Sequence, residues 1–480
     1  MTAPLRTPAR SLAAQPQSAS TSTSLPAVSA AHVTTHMSAA AVAPTAIPCS
    51  LAHDSPTAVS SKAHPAIAAK SKVALRRCHL QPTVSTPINV DKLALELLNH
   101  PNRDFVTTLV DALRYGTRIG YTGPQKTRVS RNLISASQHP GVVSANLCKE
   151  IQLGRVAGPF PSLPLPNFQC HPVGVVPKKH TTEWRTIYHL SYPEGDSIND
   201  HIPKDPYSLQ HVRIDDTISI IQQLGPGSFM AKTDLKSAFR LMPIHPDDWN
   251  LLGIYWQSQY FVDLYLPFGL RSAPYLFNQI SDALEWILKH NYGLQHVIHI
   301  LDDFFIAERT KLDCLGSFAL LLKLVMSLKV PTVAAKTLGP TQVIEFMGIV
   351  LDSVQMVARL PEDKLARIKT LLDSFKGRRS ARLIELQSLI GTLQFACKVV
   401  VPGRTFLQRM INLTRGVPSR FHHVRLNKEF FRDLSMWRVF LTSWNGRSFF
   451  LDSFLAAAPD LELYADADST VGFGGYFNGK

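Results

Sequence analysis

Two adjacent acids, Asp302 and Asp303, stand between two largely apolar runs, Val297 to Leu301 and Phe304 to Ala307. Runs of this length on either side of a polar break read as two buried strands joined at an acidic turn. Like charges side by side repel, so the pair costs stability unless a cation is shared there. Upstream, Asp234 ends a similar run, Phe229 to Thr233. If the two turns meet, three carboxylates come together. Such a cluster can hold two magnesium ions, with manganese as the alternative, and a metal pair of that kind clamps the attacking and leaving oxygens of a phosphoryl transfer.

Composition narrows the partners. The 480 residues carry a net charge of +14, which suits a polyanion and above all nucleic acid. Six cysteines without a Cys-x-x-Cys pair fit reduced thiols better than a disulfide framework or a zinc site. No apolar run has spanning length, and no signal-peptide core opens the chain, so cytoplasm or nucleus is expected and secretion is not. Residues 1–85 are rich in Ala, Ser, Thr and Pro, with seven basic residues against the single acid Asp54. Such a tract cannot bury enough surface to offset its ordering entropy and reads as a disordered basic tail. An acid-poor, Ser-rich start also suits a mitochondrial transit peptide, but Arg is sparse and no amphipathic helix is visible.

Folded character begins near Val90. Asp91 to Asn99 and Phe105 to Tyr115 read as helices, and Gly154 to Pro166 as a Gly/Pro-rich loop. Strand-like runs alternate with turns through Asp352. Pro361, Glu362 and Asp363 then make a helix start, with acids at the positive end of the dipole. Leu365, Ile368, Leu372 and Phe375 form one apolar face, and Leu386, Ile390, Leu393 and Cys397 form a second. The joint between them carries Lys376, Arg378 and Arg379. It suits a duplex backbone, and read alone it is equally an ordinary helical hairpin with solvated charges.

Other candidates surround the acids. Phe239 follows Asp234 by five places and could lie against the sugar of an incoming nucleotide, leaving no room for a 2′-hydroxyl. Phe268 and Gly269, in a Leu-Pro-Phe-Gly turn, could approach the nascent base pair, since glycine permits close backbone approach. Lys178 and Arg185, on a putting-together of two strands as a hairpin, could both face a triphosphate. Lys336 could give a proton to leaving pyrophosphate. The turn Phe346-Met347-Gly348 could press on a primer end. Read singly, each has a plain alternative: a core phenylalanine, a solvated cation, a common turn.

Their order along the chain carries more than any one of them. Basic hairpin, Asp234 with Phe239, Leu-Pro-Phe-Gly, Leu-Asp-Asp, Lys336, Phe-Met-Gly and helical hairpin follow in the sequence of a reverse transcriptase, which this chain resembles over roughly residues 90 to 480. Within that family it resembles the polymerases of DIRS-type retrotransposons. The residues that suggest so are Glu150 with Gly158-Pro159-Phe160, Trp184-Arg185, His189 to Pro193, Ser197 to Asp200 and Val401 to Arg404. Pararetroviral and gypsy-type polymerases are the nearest competitors. Ile300 departs from the Tyr common two places before the first acid, and Phe268 from the Gln of retroviral enzymes.

The resemblance implies an α+β right-hand fold: fingers and palm over 86–355, a helical thumb over 356–415 and a connection over 416–460. It implies Asp234, Asp302 and Asp303 as metal ligands, and an RNA template, a DNA primer or RNA–DNA hybrid and dNTPs as partners, with no membrane. Residues 461–480 look like the first hairpin of a ribonuclease H domain, with Asp466 at its first metal-binding acid. The later acids of that domain do not follow, so RNA cleavage is not expected, and the chain looks like a piece of a longer polyprotein. The expected function is RNA-directed DNA polymerisation. The alternative is a non-catalytic nucleic-acid-binding relic. An RNA-dependent RNA polymerase is disfavoured by Phe239.

Overall fold

The centre of the structure is a four-stranded antiparallel sheet built around the acidic turn. In this computed structural model residues 84–178, 183–443, 447–449, 463–468 and 472–477 are described, the last three stretches as backbone strands only. Almost all of the N-terminal basic tract lies outside them. The central strands are β1 (Phe229–Asp234), β2 (Val297–Ile300), β3 (Asp303–Glu308) and β4 (Leu338–Thr341), in the spatial order β4-β1-β3-β2. Ile306 lies opposite Ala231 and Val297, while Phe305 lies opposite Lys232 and Ile298.

Period-2 alternation sends these residues to two different cores. Ala231, Val297, Phe304 and Ile306 join one core. It is closed by the helices α2 (Ala273–His290) and α3 (Lys311–Ser327). Met230, Ile298, Phe305 and Ala307 join the other, with α1 (Ile214–Leu224) beside them. Both faces of the sheet are thus covered, which is why its strands are apolar at nearly every position. Among the described residues no helix is long and apolar enough to cross a membrane.

The second core continues through the strands Val343–Phe346, Ile349–Asp352 and Val357–Arg359 into α4 (Glu362–Asp373) and α5 (Leu383–Ala396). Leu365, Ile368, Leu372 and Phe375 are buried there, as are Leu386, Ile390, Leu393 and Cys397. Pro361 is the N-cap of α4 and not its first residue. The same core takes in α6 (Lys428–Ser443) through Phe430, Leu434 and Trp437, so packing is continuous across the expected boundary at 415/416. A Cβ on Gly403 would lie 2.3 Å from the Trp437 ring, so the Val401-Pro402-Gly403 turn needs glycine to seat against α6.

A five-stranded sheet stands beside the central one, with Gln169–His171, Gly253–Trp256, Gln259–Asp263 and Val156–Phe160 adjacent in that order after the short edge Arg128–Val129. The expected loop at Gly154 to Pro166 is therefore corrected. Val156–Phe160 pairs with Gln259–Asp263, and its register shift between Ala157 and Phe160 absorbs the Gly-Pro step. The helices α1 and α3 are hidden in what reads as strands and turns, and the helix Pro140–Gln152 lies before that stretch, where the sequence suggested no element. In α3 apolar residues occupy every side, so no periodicity betrays it.

Two charged clusters lie inside this frame. Arg240, 8 % exposed, donates to Asp263 at 2.7 Å, to the Tyr265 carbonyl at 3.0 Å and to Glu150 at 3.0 Å, and Arg155 also donates to Glu150 at 2.8 Å. This pins the turn after β1 to the neighbouring sheet and to the helix Pro140–Gln152. Removing the guanidinium leaves Asp263 buried without its counter-charge. Arg240→Ala is expected to lower stability by about 3–5 kcal/mol, read from urea unfolding.

His299, on β2, donates to Glu285 at 2.5 Å and lies 3.4 Å from Asp282, both on α2. Burial works against its charge, but the two carboxylates win and raise it from 6.5 to about 9. A raised folded-state value means stability that is whole below the unfolded value of 6.5 and lost as pH climbs towards 9. Thermal unfolding of the parent should therefore weaken across that window, and His299→Gln should flatten the curve there. An unchanged curve in the variant would show that the pair contributes nothing to folding.

Candidate active site

Asp234 closes β1 and Asp303 opens β3, and the two stand directly opposite each other in register. Between β2 and β3 the chain reverses at Leu301 and Asp302, with Leu301 in the left-handed region at φ 53°. The turn is held from two sides and the end of β1 from a third. Leu235 N–H donates to the Asp302 carbonyl at 2.8 Å, the Ser281 hydroxyl donates to the Leu301 carbonyl at 2.7 Å, and Val333 N–H donates to the Asp234 carbonyl at 2.8 Å. The structure thus brings together the three carboxylates singled out from the sequence.

Their electrostatics follow from that placement. Burial, then the charges of Asp234 and Asp302, push the Asp303 carboxyl up to about 6. Burial also raises Asp302, with Asp234 adding to it. The Lys336 ammonium forms an ion pair with Asp234, which raises the lysine further. Among the described residues no three of His, Cys, Asp or Glu form a ready-made metal-ligand group. One oxygen of Asp234 is committed to Lys336, so the carboxylates share a field without yet converging on one point. An all-oxygen, mutually repelling donor set is nevertheless the kind a hard divalent cation relieves.

Phe239 sits on the short 3-10 turn Ala238–Leu241 that leaves β1. Its ring centre lies 5.1 Å from that of Phe268 and 5.6 Å from that of Phe277 on α2. Phe239 is partly buried against the first core, whereas Phe268 is 59 % exposed. Gly269 has φ +95°, a left-handed geometry that suits glycine. Asn199 clasps this turn, donating to the Gly269 carbonyl at 2.9 Å and accepting from Arg271 N–H at 2.8 Å. Asn199 is one of the residues by which the chain resembles its family, and here its contacts are structural.

The basic hairpin is present, Val173–Pro177 pairing with Trp184–Tyr188. Lys178 is engaged with Glu183 at 2.6 Å, and Arg185 is exposed opposite Val176. The expectation for Phe346 needs correction. It is 2 % exposed and packs on Phe305 at 5.0 Å, so it belongs to the core and cannot press on a primer. Met347 and Gly348 form the turn proper, where Lys364 donates to the Gly348 carbonyl at 2.9 Å.

At the helical joint Lys376 is exposed, but Arg378 is committed to Glu385 at 3.0 Å and lies over the Phe375 ring. The Arg379 carbonyl accepts from Leu426 N–H. The joint therefore holds the fold as much as it offers charge. A groove between α4 and α5 is lined by Lys364, Arg367, Gln387, Gly391, Thr392 and Phe395, with Lys364 paired to Glu345 at 3.0 Å. These were missed, although Gln387, Gly391 and Phe395 recur every four residues on one side of α5. Asp466 lies on Leu463–Asp468, which pairs with Gly472–Phe477 as the expected hairpin; its side chain is outside the described residues.

No protein-family model and no curated protein matches the chain. Solved structures do. A foamy viral protease-reverse transcriptase in complex with RNA/DNA hybrid aligns at TM-score 0.54 and 17 % identity, over 75 % of this chain and 47 % of that one. This chain thus spans about half the length of that relative. The same kind of protein in complex with dsDNA aligns at 0.54 and 18 %, over 84 % of this chain and 80 % of that one. A dRH form with ds DNA aligns at 0.53 and 16 %, over 83 % and 69 %. At such identities the likeness concerns the fold: the chain has a reverse-transcriptase-like fold.

Proposed function

We propose that this chain is an RNA-directed DNA polymerase of a DIRS-type retrotransposon, with palm, fingers and thumb formed by the central sheet, the five-stranded sheet and the α4–α5 region. The observation that carries the reading is the meeting of Asp234 and Asp303 in register with Asp302 in the adjoining turn. In the reaction a primer 3′-oxygen attacks the α-phosphate of a deoxynucleotide, and pyrophosphate leaves. Two magnesium ions, or manganese, held by the three aspartates would neutralise charge on the reacting phosphate.

The chain's own groups do the rest. Lys178 and Arg185 offer cations to the triphosphate, Arg185 directly and Lys178 after release from Glu183. Phe239, braced by Phe268 and Phe277, walls off the space of a 2′-hydroxyl. Lys336 carries a proton at Nζ beside Asp234 and can give it up to the leaving group. The groove between α4 and α5 offers Arg367 to a duplex directly and Lys364 after release from Glu345, and the joint adds Lys376 and Arg379. The nucleic-acid complexes of the structural neighbours support this choice of partner. The subclass rests on the motif resemblance, and the Asp466 hairpin fits the start of a ribonuclease H-like domain.

Extension of a DNA primer on an RNA template with magnesium and dNTPs tests the reading. The parent should extend, and Asp302→Asn should lose at least about a hundredfold, the scale on which charge-stabilising groups matter. In Phe239→Ala the preference for dNTPs over NTPs should shrink by about tenfold or more, as loss of one steric wall allows. A folded parent that binds the hybrid and never extends it would instead be a nucleic-acid-binding relic. Separately, Lys364→Gln with Arg367→Gln should flatten the slope of log affinity against log salt by roughly two, one per lost phosphate contact. An unchanged slope would place the duplex elsewhere.

A further inference from the structure

Between Glu385 and Glu429 the chain carries seven Lys or Arg and no acid. The end of this one-signed stretch folds back on the start of α5. Ser380–Arg382 pairs antiparallel with His423–Arg425, Ser380 opposite Arg425 and Arg382 opposite His423. Leu383 N–H donates to the His422 carbonyl and Ile384 N–H to the Arg420 carbonyl, both at 2.9 Å, so the pairing continues into the first turn of α5. Alternation sorts this ribbon into two faces. Ala381 and Leu426 are buried, and Val424 packs on the second core. Arg382, His423 and Arg425 stand exposed on the other face. Arg420 and Arg425 have no ion-pair partner among the described residues, and Arg382 reaches Glu385 only at 3.5 Å, where Arg378 is already engaged. The fold leaves the ribbon's positive charge largely unneutralised, and such a surface attracts a polyanion.

Charge alone suits any phosphate backbone. The second observation is Phe421, in the turn that leads into the ribbon. It is 57 % exposed, belongs to none of the three apolar cores, and has the Arg420 guanidinium 4.9 Å from its ring centre. An aromatic ring left outside every core offers a stacking surface. Bases inside a duplex already stack on one another, so the base that reaches such a ring is an unpaired one. Cations along a backbone with an aromatic ring among them is the pattern that holds single strands without sequence preference. One ring among arginines buries too little apolar surface for a stable membrane anchor.

We infer that this ribbon and the Arg420–Phe421 turn form a binding site for an unpaired polynucleotide. Phe421 stacks on a base, while Arg382, Arg420 and Arg425 meet the phosphates beside it. The site is distinct from the groove between α4 and α5 but adjoins it. Ile384, bonded to the Arg420 carbonyl, lies three residues before Gln387 and seven before Gly391, on the groove side of α5. A strand leaving a duplex in that groove meets the ribbon next. The inference concerns binding alone and stands whether or not the chain polymerises.

Fluorescence anisotropy of the full chain tests it, with labelled oligouridylate and oligothymidylate of about 16 nucleotides set against a blunt duplex. The relative affinity of the two single strands tells RNA from DNA. Phe421→Ala should weaken single-strand binding about tenfold or more, and Phe421→Trp should restore it. Neither should move duplex affinity or the melting temperature, because the ring lies outside the cores. Arg420→Gln with Arg425→Gln should flatten the slope of log single-strand affinity against log salt by about 1.4, at ~0.7 per phosphate. Irradiation of bound bromouridine-substituted oligouridylate should label the tryptic peptide Phe421–Arg425. Single-strand binding unchanged in Phe421→Ala, or lost in equal measure with duplex binding, overturns the inference. Labels confined to other peptides overturn it, as does binding to phosphatidylserine vesicles in place of the oligonucleotides.

Discussion

Asp234 and Asp303 face each other across a strand pair, and like charges in that place repel. Burial and that repulsion together raise the Asp303 carboxyl, and Asp234 captures Lys336. A chain gains nothing in folding from such a pair, so other contacts must impose it. Here the imposing contacts are apolar. Phe304 and Ile306 lock β3 to α2 and α3, while Phe305 and Ala307 lock it to the core under α1 and the strands from Val343. A shift of one residue would exchange these two sets and move the carboxylate with them. The register that opposes the acids is therefore fixed by burial on both faces at once.

The same logic extends outward through Arg240. It lies one residue after Phe239 and six after Asp234, and its guanidinium reaches across to Asp263 and Glu150. A buried ion pair of this kind adds little net stability but is costly to break. Its consequence is positional: the turn bearing Phe239 cannot drift from the neighbouring sheet without stranding the buried Asp263. Asn199 does the corresponding work for the turn bearing Phe268 and Gly269. Two rings in contact, Phe239 and Phe268, are thus each held by a polar clasp from a different part of the chain.

How much of this was legible depended on whether the signal was local. The acidic turn, the strands beside it, the basic hairpin and the two faces at Leu365 and Leu386 all announce themselves by period and by turn residues. Phe346 misled because its neighbours Met347 and Gly348 do form a turn, while burial of the ring depends on Phe305, far away in sequence. Arg378 likewise looked free until Glu385 stood beside it. Val156–Phe160 looked like a loop because the partner that makes it a strand, Gln259–Asp263, supplies the hydrogen bonds across a bulge. Arg240 gave no sign at all, since an arginine announces neither its burial nor its acids.

The helix α3 shows why such failures carry information. Its exposed positions mix Leu312, Leu315 and Met326 with Lys311, Asp313 and Lys323, so its apolar residues show no clean helical period. One side must fill the core beneath β3 and β1, and the other carries Leu312, Leu315 and Met326 into solvent. A surface helix under folding pressure alone keeps a polar outer face. The exposed apolar residues are what hid this helix from a periodic reading.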